Sequence, residues 1–218
     1  MDKGSPSTAK HRSQARGRAA ILGVGGSPRR RGNSDVLVQT ILAGARAAGG
    51  RTRAVQLRDV QYQPCIGCEQ CRRSGRCTGL TDGMGHLYPM LEASRGLVLV
   101  SPTHNYNVTA WMKAFIDRLY CYYSFDDRRP RGWTSRLAGQ GRKAVLAAVC
   151  EQEGEEDMGF TLAAMRRPLE ALGYAVLAEL PVYAIFDRGG VKHHPEILRR
   201  ADGLGRLLAE AIAALAGQ

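Results

Sequence analysis

Long apolar runs are missing from this sequence. The longest, such as Ala144 to Cys150 and Leu97 to Val100, fall far short of the roughly 20 residues that a membrane span needs, so no transmembrane helix is expected. Negative charge is also scarce: 20 acids face 31 Lys and Arg residues, a net charge of +11, which steers acidic partners toward the chain without naming them. The opening segment, Met1 to Arg18, carries Lys3, Lys10, Arg12, Arg16 and Arg18 but neither interleaved aromatics nor the apolar stretch of a secretory signal. It reads as a disordered basic tail, with nucleic acid an unlikely partner for it. Without export, a cytoplasmic and reducing setting is expected, where clustered thiols point to metal or redox chemistry more than to structural disulfides.

What is present is the material of one ordinary domain: 218 residues, 44% hydrophobic and 23% charged, enough for a real core. From Ala19 to the end, short apolar strands alternate with longer amphipathic helices, a pattern that predicts a parallel α/β sheet. Ala19 to Val24, Leu97 to Val100 and Ala144 to Val149 are continuously apolar, as strands covered on both faces must be. Arg53 to Leu57 and Tyr174 to Leu180 are mixed and belong nearer the edges. Helical spacing marks Ser34 to Ala48, Val108 to Tyr122, the stripe from Met158 to Leu172, and Leu204 to Leu215; these Met and aromatic stripes are packing faces. Five strands, each followed by a helix, fit a doubly wound, flavodoxin-like sheet over residues 19–218, with a cysteine-rich loop at 62–83 after the second strand. In such sheets ligands sit beyond the carboxyl ends of the central strands.

The first strand runs into Gly25, Gly26, Ser27, Pro28, Arg29, Arg30, Arg31, Gly32, Asn33 and Ser34. Small residues let the backbone close round an anion, helix-start amides carry partial positive charge, and hydroxyls add donors. Asn33 stands where a Walker loop needs Lys, and Pro28 where a dinucleotide loop needs its third glycine, so neither ATP hydrolysis nor a tightly held nicotinamide is expected. A single phosphate monoester remains, with the terminal phosphate of FMN the natural candidate. Ser27, Arg29, Asn33 and Ser34 are the candidate contacts, although Asn33 and Ser34 can equally serve as plain helix caps.

Cys65, Cys68, Cys71 and Cys77 form the spacing C-x2-C-x2-C-x5-C. Four thiolates on one loop are what a [4Fe-4S] cluster requires, and the first three follow the bacterial ferredoxin run. A closed zinc site, a thiol–disulfide switch through Cys65 and Cys68, or cysteines that bind nothing are the alternatives. Cys121 and Cys150 read as small buried hydrophobes. After the third strand, Pro102, Thr103, His104, Asn105 and Tyr106 supply hydrogen-bonding and aromatic groups at the sheet's carboxyl edge, where a flavin ring would lie. Glu151 and Gly154, after the fourth strand, can approach it from the other side. The acids Glu155, Glu156 and Asp157 suit a helix start.

Three stretches, Gly26-Ser27-Pro28-Arg29 through Gly32-Asn33-Ser34, Pro64-Cys65-Ile66-Gly67-Cys68, and the run from Ser101 to Arg118, resemble the flavodoxin-like NAD(P)H-dependent FMN reductases and, within them, the iron-sulfur flavoproteins. The resemblance covers about Ala19 to Cys121. It implies FMN with its phosphate in the first loop and its ring against the loops after strands three and four, a compact cysteine run holding the cluster, and a homodimer or homotetramer whose cluster and flavin can come from different subunits. Relatives usually show two adjacent acids soon after the fourth cysteine; here Asp82 is followed by Gly83, which puts the local helix cap in question. Lys113, Asp117 and Arg118 also match a family motif, and a helix-surface or subunit-contact role is expected of them. The function expected is an FMN-dependent oxidoreductase passing electrons between a [4Fe-4S] cluster and FMN, with no catalytic side chain required. NAD(P)H is a transient donor, an acidic carrier such as ferredoxin a partner, and a small molecule an acceptor. The alternatives are an NAD(P)H-dependent FMN or quinone reductase without a cluster, and a zinc-bearing binding module with a basic tail.

Overall fold

The computed structural model describes residues 20–216; the basic tail expected at 1–18 lies outside the described residues. Strand β1 (Ala20–Gly25) is buried at all but its first residue and feeds α1 (Asn33–Ala47), after which β2 (Arg51–Gln56) returns along the sheet edge. The cysteine loop follows, with one helical turn, α2 (Cys71–Ser74), and then α3 (Met84–Glu92) leads into β3 (Gly96–Pro102). Next come α4 (Ala110–Arg118), a 3-10 turn (Leu119–Tyr122) and a small antiparallel hairpin of β4 (Tyr123–Phe125) and β5 (Trp133–Ser135). Strand β6 (Lys143–Val149), helices α5 (Glu155–Met158) and α6 (Thr161–Ala171), β7 (Ala175–Val182) and α7 (Pro195–Ala216) complete the fold.

The five-stranded sheet is parallel throughout, in the order β2-β1-β3-β6-β7, which is the flavodoxin-like doubly wound order. The three continuously apolar strands are its centre and the two mixed ones its edges, as their patterns require. Alternation along the strands divides the core in two. Leu22, Val24, Leu99 and Leu146 pack with Met112, Phe115 and Met165 on one face. Ile21, Val98, Val100 and Val145 pack with Leu37, Ile41, Leu208 and Ile212 on the other. No helix among the described residues is long and apolar enough to cross a membrane.

Two expectations need correction. The helix expected from Val108 to Tyr122 ends at Arg118, and the chain turns through the 3-10 segment into the hairpin, whose pairing with residues ten positions on has no local signature. The single helix expected from Met158 to Leu172 is two, α5 and α6, parted at Gly159, where the chain passes against the Tyr106 backbone: a Cβ there would lie 2.5 Å from Tyr106 O.

Helices α1 and α7 touch backbone to backbone. A Cβ on Gly205 would fall 1.8 Å from Ile41 O, and one on Gly44 2.1 Å from Asp202 O. In an open helix Gly→Ala stabilises by about 1 kcal/mol. Here the helices must separate instead, and overpacking costs about 1–3 kcal/mol or more. Gly205→Ala is therefore expected to lower the midpoint of thermal or urea unfolding, and an unchanged or raised midpoint would refute this packing.

Candidate functional site

A cavity of about 430 Å3 opens at the carboxyl ends of the central strands, within the usual range for a cofactor or small-molecule site. Its wall brings together Ser27, Arg29, Asn33 and Ser34 from the first loop, Pro102, Thr103, His104 and Asn105 after β3, and Glu151 after β6. Tyr106 and Gly154 are not part of that wall. Tyr106 is 60% exposed, and Gly154 is the N-cap of α5, ahead of the acids Glu155, Glu156 and Asp157 in its first turn. The segment Ile185, Phe186 and Arg188, after β7, also lines the cavity. Nothing in its residues signals a binding loop; Asn33 brings it in. The Asn33 Nδ2 donates to Asp187 O at 3.0 Å, and its Oδ1 accepts from Val191 N at 3.1 Å. Gly32, not Asn33, takes the N-cap position of α1.

The first loop is braced from behind by an arginine on a 3-10 turn after β2. Arg58 is 8% exposed, and its Nη1 donates to the carbonyls of Ser27 (3.0 Å) and Arg29 (3.3 Å). It pairs with both oxygens of Asp35 at 2.8 Å, while Asp35 also accepts from Arg31 N at 2.7 Å. With the Ser27 and Arg29 carbonyls turned back onto Arg58, they point away from an anion that the start of α1 would hold. Arg29 reaches the other way, donating to Phe186 O at 3.3 Å and lying 4.7 Å over the Phe186 ring.

Beyond β3 the chain makes a two-residue turn. His104 N donates to Asn107 O (2.7 Å) and Asn107 N to His104 O (3.1 Å), with Asn105 and Tyr106 both left-handed at φ 47° and 63°. A tyrosine with positive φ is uncommon. It is held by Phe160 N, which donates to Tyr106 O at 2.7 Å. Thr103 Oγ1 lies 3.0 Å from Thr161 Oγ1, whose own proton goes to Met158 O at 2.8 Å, so Thr103 is the donor of that pair. Thr109 caps α4 and donates to Gly26 O at 2.7 Å, joining the two loops.

Cys65, Cys68, Cys71 and Cys77 line a second, smaller cavity of about 150 Å3 together with Ile66, Leu80, Tyr120 and Arg118. All four are free thiols. A Cβ on Gly79, also in the wall, would fall 2.4 Å from the Cys68 sulfur, so glycine lets that sulfur lie close against the backbone. Burial, and then the charges of Cys77, Cys65 and Cys68, push the Cys71 thiol above its ordinary pKa. Gathered thiolates therefore need a cation or a donor to offset them. Among the described residues no three His, Cys, Asp or Glu side chains are close enough together to hold one metal ion. A single tetrahedral zinc needs its sulfurs about 3.8 Å apart, whereas a [4Fe-4S] cluster gives each thiolate its own iron and wants them further apart. Cys121 and Cys150 are buried; burial, with the Cys71 and Cys77 charges behind it, pushes the Cys121 thiol up to about 11.

The ends of the cysteine loop are clasped by Arg118. Expected on a helix surface, it is 2% exposed. Its Nη1 donates to Gln63 O (2.8 Å) and Asp82 Oδ2 (2.6 Å), and its Nη2 to Asp82 Oδ1 (3.1 Å). Asp82 also accepts from Gln63 N and Met84 N, both at 3.0 Å. Burial alone would raise the Asp82 carboxyl; these hydrogen bonds outweigh it and hold the group below the ordinary carboxylate range. The residue after Asp82 has no room for a side chain: a Cβ at Gly83 would sit 2.7 Å from Gln61 O, and Gly83 N donates to that same oxygen at 2.8 Å. Lys113 and Asp117 do form an exposed surface pair.

A parallel doubly wound sheet with an anion-suited first turn and a cavity at its switch point defines a nucleotide-cofactor protein of flavodoxin type. Residues 19–178 match the NADPH-dependent FMN reductase family, to which the chain belongs; it is a flavin-dependent oxidoreductase. It is similar to an iron-sulfur flavoprotein of Archaeoglobus fulgidus, at 30% identity over 190 residues covering 87% of this chain and 79% of that protein. It is also similar to an iron-sulfur flavoprotein of Methanocaldococcus jannaschii, at 33% identity over 98 residues, 45% of this chain and 50% of that protein. Among solved structures, an NAD(P)H:quinone oxidoreductase from Methanothermobacter marburgensis shares the fold, with a TM-score of 0.64 and 18% identity over 87% of this chain and 98% of that one.

Arg58→Lys keeps a positive charge but cannot bridge Asp35 and two carbonyls at once. It is expected to weaken FMN binding about tenfold, the worth of one charged hydrogen bond, while leaving riboflavin, which has no phosphate, nearly unaffected. Flavin fluorescence titration reads both, and equal loss for the two flavins would mean the brace has no bearing on phosphate.

Proposed function

We propose that the chain holds FMN in the larger cavity and a [4Fe-4S] cluster in the four-cysteine cavity, and serves to pass electrons between them. The observation that carries this reading is that Cys65, Cys68, Cys71 and Cys77 line one cavity. In support, iron-sulfur flavoproteins are among the chain's relatives. When bound, the flavin supplies one- or two-electron chemistry and the cluster one-electron chemistry. Ser27, Arg29, Asn33 and Ser34 would hold the phosphate end, with the Arg58 brace orienting their loop. Pro102, Thr103, His104 and Asn105 on one side and Glu151 on the other would bound the ring. Because Asn105 sits in the wall while Tyr106 stands exposed, the ring's outer face is left for a donor such as NAD(P)H, a small-molecule acceptor or a second subunit of a homodimer or homotetramer.

Arginines are frequent in the segment that carries the cysteines. Arg72, Arg73 and Arg76 lie between Cys71 and Thr78, Arg72 sits 4.8 Å over Phe125, and Arg136 donates to Gly75 O. That surface suits an acidic electron-transfer protein of the ferredoxin kind, through complementary charge, and the free thiols suit a reducing compartment such as the cytoplasm. A second reading, an NAD(P)H-dependent FMN or quinone reductase without a cluster, draws on the absence among the described residues of three side chains set for one metal ion.

Protein purified without oxygen is expected to carry about four iron and four sulfide atoms per chain along with FMN. Cys77→Ser is expected to lose the iron and keep the flavin. Flavin without iron in the parent protein would leave the second reading standing, and zinc without flavin would reject both.

A further inference from the structure

The Arg118 side chain is 1% exposed, and each of its two terminal nitrogens bonds the cysteine loop, Nη1 to Gln63 and Asp82 and Nη2 to Asp82. Its third nitrogen is not: the buried Nε has no hydrogen-bond partner. A buried donor on a charged group that makes no bond is costly, on the order of 1–3 kcal/mol or more, and such orphans are rare enough in folded proteins to require a reason. The same side chain lines the four-cysteine cavity. Burial works against its charge, but the hydrogen bonds to Asp82, helped by the charges of Tyr88 and Cys77, hold the guanidinium above even its ordinary pKa. A cation with one nitrogen unpartnered thus belongs to the wall of a chamber of sulfurs.

We infer that the Arg118 Nε–H donates a hydrogen bond to a sulfur of the group held by Cys65, Cys68, Cys71 and Cys77 and so raises its reduction potential. The inference rests on the reading of that chamber as a [4Fe-4S] site. Hydrogen bonds to the sulfurs and nearby net charge are among the factors that set a cluster's potential, because reduction adds negative charge that a donor stabilises. Arg118 is a positioning and tuning residue here: Asp82 and Gln63 fix its guanidinium, which leaves Nε as its one nitrogen without a partner.

The test is a potentiometric titration of the anaerobic full-length protein, followed by electron paramagnetic resonance, with iron and sulfide assayed on the same samples. Arg118→Lys retains the cation and its reach to Asp82 but removes the Nε donor. The variant cluster is expected to be about tenfold harder to reduce, a shift of about 59 mV to lower potential for a one-electron couple, at unchanged iron content. An unchanged or higher potential overturns the inference. If the lysine variant fails to assemble the cluster, parent protein labelled with 15N-arginine decides. A nitrogen coupling to the reduced cluster in electron–nuclear double resonance supports the inference, and its absence overturns it. Parent protein lacking iron and sulfide would bring down the cluster reading itself, a result distinct from a loaded cluster indifferent to Arg118.

Discussion

Two buried arginine–aspartate bridges hold this molecule's working loops. Arg58 with Asp35 ties the first loop to the start of α1, and Arg118 with Asp82 closes the cysteine loop against the end of α4. Each arginine also takes backbone carbonyls from the loop it serves. Such pairs add little net stability compared with apolar packing, but removing one partner strands a buried charge at about 3–5 kcal/mol. Their contribution is conformational: loops at the carboxyl edge of a sheet are ordinarily the low-stability parts of a domain, and here each is stapled to a helix end by a group that cannot lose its charge. In each arginine the Nε makes no bond to another protein group.

Much of the fold was legible because its signals are local. Continuous apolar runs marked the central strands, mixed ones the edges, and helical stripes the covering layers, so sheet order followed. The first loop and the residues after β3 were legible for the same reason: glycine, hydroxyl and amide side chains at a strand end have few structural uses beyond turns and ligands. The illegible parts depend on distant partners. Nothing in Ile185, Phe186 or Arg188 indicates that Asn33, some 150 residues earlier, would draw them to the cavity. Arg58 and Arg118 look like ordinary surface cations until Asp35 and Asp82 bury them. The β4–β5 hairpin, three residues a side, is too short to carry a period.

At Gly83 the chain has no room for a side chain, which would strike the Gln61 backbone, and Asp82 alone accepts from two backbone amides and Arg118. One carboxylate takes four hydrogen bonds. The economy follows from how tightly the chain is drawn together at residues 61–63 and 82–84.

Helix α4 connects the two chambers. Its cap, Thr109, grips Gly26 beside the first loop, and its last residue, Arg118, stands in the wall of the cysteine cavity. Nine residues of helix measure about 13 Å. The two chambers are thus mounted on opposite ends of one rigid rod, so their spacing holds whatever the thermal wandering of the loops above it.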